Sequence, residues 1–268
     1  MKIARVQSQS GTLFWAAQQD DGALVRVDGD PPFGLYTLTR EIVEPSRWFP
    51  PVEPRVIMCI GYNYAAHAAE GASAPPAYPV LFMKNPCAAI GHREPIVLPK
   101  VCTNEVDYEG ELVVVIKKHA RDVPRETALE YVLGYTAGHD VSARVWQQVK
   151  GGSQWCRGKS FDTFAPLGPV LVTADEIPDP SGLSVKTTVN GKLMQDGNTN
   201  NLIFDVPALI SFLSQDTTLL PGTIIMTGTP AGVGWAREPK VTLKPNDTVD
   251  VTVEKIGCLT NPVVASQE

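Results

Sequence analysis

Short apolar runs, each closed by Gly, Pro or polar turn residues, recur along the whole chain and predict strands rather than long helices. Leu13-Phe14-Trp15-Ala16 and Ala23-Leu24-Val25-Arg26-Val27 flank the polar stretch Gln18-Gln19-Asp20-Asp21-Gly22, the pattern of a hairpin. Pro50-Pro51-Val52-Glu53-Pro54 is a proline-rich joint, which sets a small N-terminal β unit, residues 1–50, apart from the rest of the chain. Beyond it, Val56–Gly61 reads as a strand ended by glycine, and a short helix follows within 62–70. Residues 71–79 are too rich in Gly, Ala, Ser and Pro for regular structure. Further strands are predicted near 80–84, 95–98, 111–117, 133–139, 167–173, 184–189, 223–227 and 248–256. Helices are predicted near 124–131, 141–149 and 206–214, the last opening on Val206-Pro207. Strands outnumber helices without a regular βαβ alternation, so the fold class is mainly β with α, an α+β arrangement.

Composition narrows the function classes. The 268 residues are 43% hydrophobic and 19% charged, enough apolar material for a sizeable core. A net charge of −6, with no Lys/Arg run longer than two residues, argues against nucleic acid or an anionic membrane as partner. Five scattered cysteines with no CxxC pair suit a reduced, cytoplasmic chain and offer no thiolate metal site. The first residues lack a signal-peptide apolar stretch, and no window is apolar enough to span a membrane.

The candidate chemistry starts at Asp107-Tyr108-Glu109-Gly110-Glu111, which runs into Leu112-Val113-Val114-Val115-Ile116. Strand alternation points Glu109 and Glu111 to one face, at the lip of a buried apolar run. Two like charges there repel and lose hydration, and a divalent cation would compensate them; the plainer alternative is a solvated strand edge. Asp140, in Gly138-His139-Asp140, stands at the end of an apolar strand; alone it suits a helix N-cap, beside the pair a third ligand. Three carboxylates select Mg²⁺, Mn²⁺ or Ca²⁺ over zinc and leave positions for a chelating 2-oxo acid, whose enolate charge the ion would stabilise. Lys159, in Arg157-Gly158-Lys159-Ser160-Phe161, is either a surface lysine or an ammonium that neutralises substrate charge. His67 and Glu70 share a helix face at i, i+3, the spacing of a carboxylate-oriented general base, although His-x-x-Glu also recurs by chance. Residues 71–79 beside them would suit a lid. Met226-Thr227-Gly228-Thr229-Pro230-Ala231-Gly232 lacks the ending of a phosphate loop and better suits holding a carboxylate through backbone N–H groups and the Thr229 hydroxyl.

Taken together, GYNYAAHAAE, LFMKNP, VDYEGELVVVI, GHDVSARVWQ, RGKSFDTFAPLGP, VNGKLMQDGNTNNLIF and MTGTPAGVG resemble, in order, the motifs of the fumarylacetoacetate hydrolase superfamily, over about residues 54–263. The resemblance implies a small N-terminal β domain, a catalytic domain built on a mixed β-roll, and a homodimer. It implies that Glu109, Glu111 and Asp140 hold Mg²⁺ or Mn²⁺, that Lys159 is the active-site lysine, and that His67 and Glu70 form the lid dyad that activates water in hydrolytic members. Gln147 matches a substrate-contacting glutamine, and Lys84, Arg144 and Thr229, which fall on motif positions near the site, are expected to bind substrate with it. The implied partner is a small 2-oxo or 2,4-dioxo acid, acted on through a metal-bound enolate. C–C hydrolysis of an acylpyruvate-like acid is the favoured reaction, because the dyad is present. Decarboxylation of oxaloacetate or a related β-keto acid, or keto–enol tautomerisation, is the alternative; a non-catalytic binding protein is the third reading.

Overall fold

The computed structural model describes residues 1–31, 33–71 and 74–266. In chain order the first half carries β1 (Lys2–Gln7), β2 (Leu13–Gln18), β3 (Leu24–Gly29), β4 (Tyr36–Val43), β5 (Arg47–Phe49), β6 (Val56–Gly61), α1 (Ala65–Glu70), β7 (Val80–Lys84), β8 (Ala89–Ile90), β9 (Ile96–Leu98), β10 (Val106–Asp107) and β11 (Gly110–Ile116). The second half carries β12 (Val132–His139), β13 (Ser142–Ala143), α2 (Cys156–Lys159), β14 (Ala165–Thr173), β15 (Ser184–Val189), β16 (Lys192–Asn198), α3 (Val206–Leu213), β17 (Thr223–Met226), β18 (Thr248–Val253) and β19 (Gly257–Ala265). The class is mainly β with α, as the apolar pattern predicts.

A 12-stranded sheet runs β4-β3-β2-β1-β14-β12-β11-β17-β6-β7, with β5 on β1 and β8 on β14. A five-stranded sheet runs β16-β15-β18-β19-β9. The large sheet is mixed, because β17 and β6 pair in parallel while its other path neighbours are antiparallel. β1 hydrogen-bonds to β14 (Lys2↔Val172), so the strands before the Pro50 joint continue the sheet that carries the acidic motifs.

Every residue of β11 and β12 is buried, which accounts for the unbroken apolar run Leu112–Ile116. Close packing over these strands uses glycine at Gly110, Gly134 and Gly138. A Cβ on Gly138 would lie 2.4 Å from Val113 Cγ2, and one on Gly110 would lie 3.1 Å from Val251 Cγ1 on β18 of the other sheet. α3 forms where Val206-Pro207 opens it, with Asp205 accepting from the Ala208 N–H as N-cap.

Two helix expectations need correction. Residues 125–131 form a 3₁₀-helix, and the segment expected at 141–149 is helical only from Arg144 on, running into the π-helix Trp146–Lys150. Ser142 and Ala143 instead pair with Asp107 and Val106. Local composition there favours a helix; the pairing partner lies far back in the chain, so no local pattern reports it. β1, β4, β16 and β19 likewise carry no clear apolar signal, because polar residues interrupt them or leave them exposed. Of the loop 71–79, residues 72 and 73 lie outside the described residues.

Candidate active site

Strand pairing assembles the acids. Gly110 opens β11 opposite His139 at the end of β12, so Glu109 and Glu111 flank the turn that carries Asp140. The Asp140 N–H donates to the Glu109 carbonyl at 2.8 Å, which locks the two residues side by side. One carboxylate oxygen from each of Glu109, Glu111 and Asp140 lies within 4.8 Å of the others, and all three side chains are buried.

Three buried cations surround them. Lys159 Nζ, at the end of α2, bridges Glu109 Oε2 (2.8 Å) and Asp140 Oδ2 (2.7 Å). Arg144 Nη2 reaches Glu109 Oε1 at 2.6 Å and Asp107 Oδ2 at 2.7 Å. Lys84 Nζ lies 2.6 Å from Asp140 Oδ1. An ammonium has three N–H groups, and those of Lys84 are engaged by the carbonyls of Val141 (3.0 Å), Lys159 (2.6 Å) and Phe164 (2.8 Å). Its contact with Asp140 is therefore coulombic, and Asp140 Oδ1 is a buried carboxylate oxygen with no aligned hydrogen bond.

The charge count exposes an imbalance. Four carboxyl groups, Asp107, Glu109, Glu111 and Asp140, face three cations, Lys84, Arg144 and Lys159, so one carboxyl group has no cation to balance it. Burial works to raise the Glu109 pKa, but Arg144 and Lys159 hold it well below the usual carboxylate range. Among the described residues Glu111 has only the Gly228 N–H (2.8 Å) as donor; burial, then the charges of Asp140 and Glu109, push its pKa well up. Burial alone would lower the Lys159 pKa, yet Asp140 and Glu109 raise it, so its amine stays protonated at neutral pH. A cluster of hard oxygen donors in which one carboxyl group is driven toward its protonated form by its neighbours, and another keeps an undonated oxygen, fits a hard divalent cation that would take that proton's place.

A cavity of about 140 Å³ opens above these groups. Its wall includes Tyr62, His67, Glu70, Phe82, Glu109, Glu111, Asp140, Arg144, Gln147, Trp155, Lys159, Thr229, Val233 and Trp235. His67 Nδ1 lies 3.4 Å from Glu70 Oε2, while Glu70 Oε1 accepts from the Gly232 N–H at 2.8 Å. Helix α1 is thereby tied to the loop after β17. The cavity thus gathers nine of the ten residues singled out from sequence. Lys84 is the exception: it lies beneath the carboxylates, outside the cavity wall, so its expected substrate contact gives way to a supporting one. The Thr229 hydroxyl donates to the Gly110 carbonyl (3.0 Å) and accepts from Gln195 (2.8 Å), so it has no hydrogen left to hold a carboxylate.

Sequence reading passes over several residues. Gln195 clamps the Gly110 N–H and the Pro230 carbonyl, and Asn63 bridges Thr227 and Phe204. Trp155 and Trp235 complete the apolar wall. Polar residues inside predicted strands or loops give no local sign of such long-range contacts; only Asp107, adjacent to the acidic pair, carries a hint.

The family model described as the C-terminal part of fumarylacetoacetate hydrolase matches residues 56–264. A mitochondrial oxaloacetate tautomerase of Xenopus laevis is 46% identical over 215 residues, which cover 80% of this chain and 67% of that one. Among solved structures, a 5-carboxymethyl-2-hydroxymuconate delta-isomerase from Mycobacterium smegmatis is 40% identical with a TM-score of 0.85, covering 99% of this chain and 100% of that one. A fumarylacetoacetate hydrolase from Exiguobacterium antarcticum is 37% identical with the same TM-score of 0.85 and the same 99% and 100% coverage. Among the described residues, no helix is long and apolar enough to cross a membrane.

Proposed function

The chain belongs to the fumarylacetoacetate hydrolase family, and from that premise we propose that it interconverts the keto and enol forms of a short 2-oxo dicarboxylic acid such as oxaloacetate. The observation that carries this reading is the trio of buried carboxylates within 4.8 Å of one another at the cavity wall. Glu109, Glu111 and Asp140 would hold Mg²⁺ or Mn²⁺, because their donors are all oxygens. When bound, such a cation supplies positive charge against a negative charge growing on a substrate oxygen.

The chain's own groups provide the rest. Tautomerisation removes a proton from C3 and delivers one to the C2 oxygen. His67, with Nδ1 directed at Glu70, presents Nε2 as the group that accepts the C3 proton. Lys159 remains an ammonium with two N–H groups engaged and one left for a substrate oxygen. Gln147 accepts from Arg144 Nη1 at 3.1 Å, which leaves its amide N–H₂ for a carboxylate. Phe82, Trp155 and Trp235 exclude water from the walls.

The relatives' names move the preference from C–C hydrolysis, favoured by sequence, to tautomerisation. Hydrolysis of an acylpyruvate-like acid is the second reading, because the same His67–Glu70 pair could activate water instead. A panel of enol-oxaloacetate, keto-oxaloacetate and acetylpyruvate, followed by ultraviolet absorbance and CO₂ release, separates these outcomes. Faster loss of enol absorbance without CO₂ or pyruvate supports the tautomerase. Release of pyruvate and acetate from acetylpyruvate, with enol-oxaloacetate untouched, would replace it with the hydrolase.

A further inference from the structure

Asp107 is fully buried, touches neither the cavity nor the carboxylate trio's shared centre, and accepts more hydrogen bonds than any other side chain around the site. Oδ2 takes Arg144 Nε (2.9 Å), Arg144 Nη2 (2.7 Å) and the Trp235 N–H (2.9 Å). Oδ1 takes the Gly234 N–H (2.8 Å) and its own neighbour's, Tyr108 (2.8 Å). The pairing of β10 with β13, Asp107↔Ser142, brings it beside Arg144. On the loop side only a glycine allows the approach: a Cβ on Gly234 would lie 2.7 Å from Asp107 Oδ1.

Arg144 carries five N–H groups. Asp107 engages two of them, Glu109 one and Gln147 one, which leaves a single N–H for the cavity that Arg144 lines. With Asp107 in place, the guanidinium cannot turn both of its ends toward Glu109. Trp235, held by the same Oδ2, is at once fixed as cavity wall.

We propose that Asp107 is a positioning residue that acts through Arg144: it limits how much of the Glu109 charge the guanidinium takes, and couples the Val233–Trp235 wall to the cation ligands. The inference rests on the enolising reading of this site only for its substrate arm; its metal arm stands without a substrate.

The test is Asp107→Asn, which keeps shape and one acceptor but sets an amide N–H₂ against Arg144 and Trp235. Mn²⁺ affinity, measured by calorimetry without substrate, should weaken by roughly the 10–100-fold typical of lost ligand-supporting contacts. KM for the 2-oxo acid should rise more than kcat falls. In an Arg144→Gln background the same change should alter Mn²⁺ affinity by no more than about twofold, because the path through Arg144 is gone. A full, additive loss in that background would overturn the proposal, since a charge or folding effect needs no Arg144. If Asp107→Asn does not fold, Arg144→Lys serves: a compact ammonium lacks the planar fork that reaches Asp107 through Nε and Nη2 and Gln147 through Nη1, so the Asp107 link to the site is cut and Mn²⁺ affinity and KM should shift in the same directions. Unchanged Mn²⁺ affinity in that soluble variant would equally overturn it. Wild-type protein that binds Mn²⁺ but turns over no 2-oxo acid would sink the functional reading and leave the Mn²⁺ cycle to decide on Asp107.

Discussion

Lys84→Met should cost far more stability than an ordinary substitution, although Lys84 touches no substrate. Its ammonium sits 2.6 Å from Asp140 Oδ1 and supplies donors to three carbonyls, so the change leaves three buried acceptors without a donor and Asp140 with Lys159 as its remaining cation. Removing one partner from a buried ion pair costs roughly 3–5 kcal/mol, because the other must stay charged in a dry site or take up a proton. For a chain of this size each kcal/mol moves Tm by about 2–4 °C, so Tm should fall by roughly 6–20 °C. The four carboxyl groups would then face two cations instead of three, and Mg²⁺ should restore more of the Tm in Lys84→Met than it adds to wild type. Calorimetric melts of both proteins, with chelator and with saturating Mg²⁺, make the comparison. A chelator-treated Tm within about 3 °C of wild type, under ~1 kcal/mol, would refute the reasoning; so would an equal Mg²⁺ increment in both proteins.

Three further outcomes rest on the same geometry. Because the Glu111 pKa is raised in the ion-free site, the stability it allows is present at low pH and is lost as pH climbs through that raised value. A bound cation needs the carboxylate ionised, so Mg²⁺ affinity should rise by up to about tenfold per pH unit below that pKa; calorimetry in buffers of different ionisation enthalpy should detect the released proton in wild type and none in Glu111→Gln. Gly138→Ala should destabilise by roughly 1–3 kcal/mol in urea melts, since its Cβ would lie 2.4 Å from Val113. His67→Ala should lower kcat for enol-oxaloacetate by roughly 10²–10⁴-fold with Mn²⁺ affinity and Tm kept, as checked by stopped-flow absorbance and calorimetry.

Much of the fold and site is written locally, and the remainder is not. The apolar run Leu112–Ile116 and the turn-bounded runs at Val56–Gly61 and Val80–Lys84 predict their strands because burial on a sheet imposes that pattern directly. Glu109, Glu111 and Asp140 can be paired from sequence, because each stands at the end of an apolar run and like charges there demand a cation. The hidden part depends on contacts distant in sequence. Ser142–Ala143 is a strand only because Val106–Asp107 lies beside it, so a helix is the natural local reading. Lys84 ends a strand with outward and inward positions alternating, and nothing nearby tells whether its ammonium meets substrate or three carbonyls from 57, 75 and 80 residues away. Gln195 and Asn63 look like ordinary polar residues until the loop they clamp is in place.

The central claim is that a divalent cation on Glu109, Glu111 and Asp140 is needed for enol chemistry in this cavity. The most direct measurement is the rate of enol-oxaloacetate conversion by protein stripped of divalent ions, before and after Mg²⁺ or Mn²⁺ is returned. The rate should sit at the uncatalysed level in chelator, recover with Mg²⁺ or Mn²⁺, and not recover in Asp140→Asn. Undiminished conversion in excess chelator would contradict the claim.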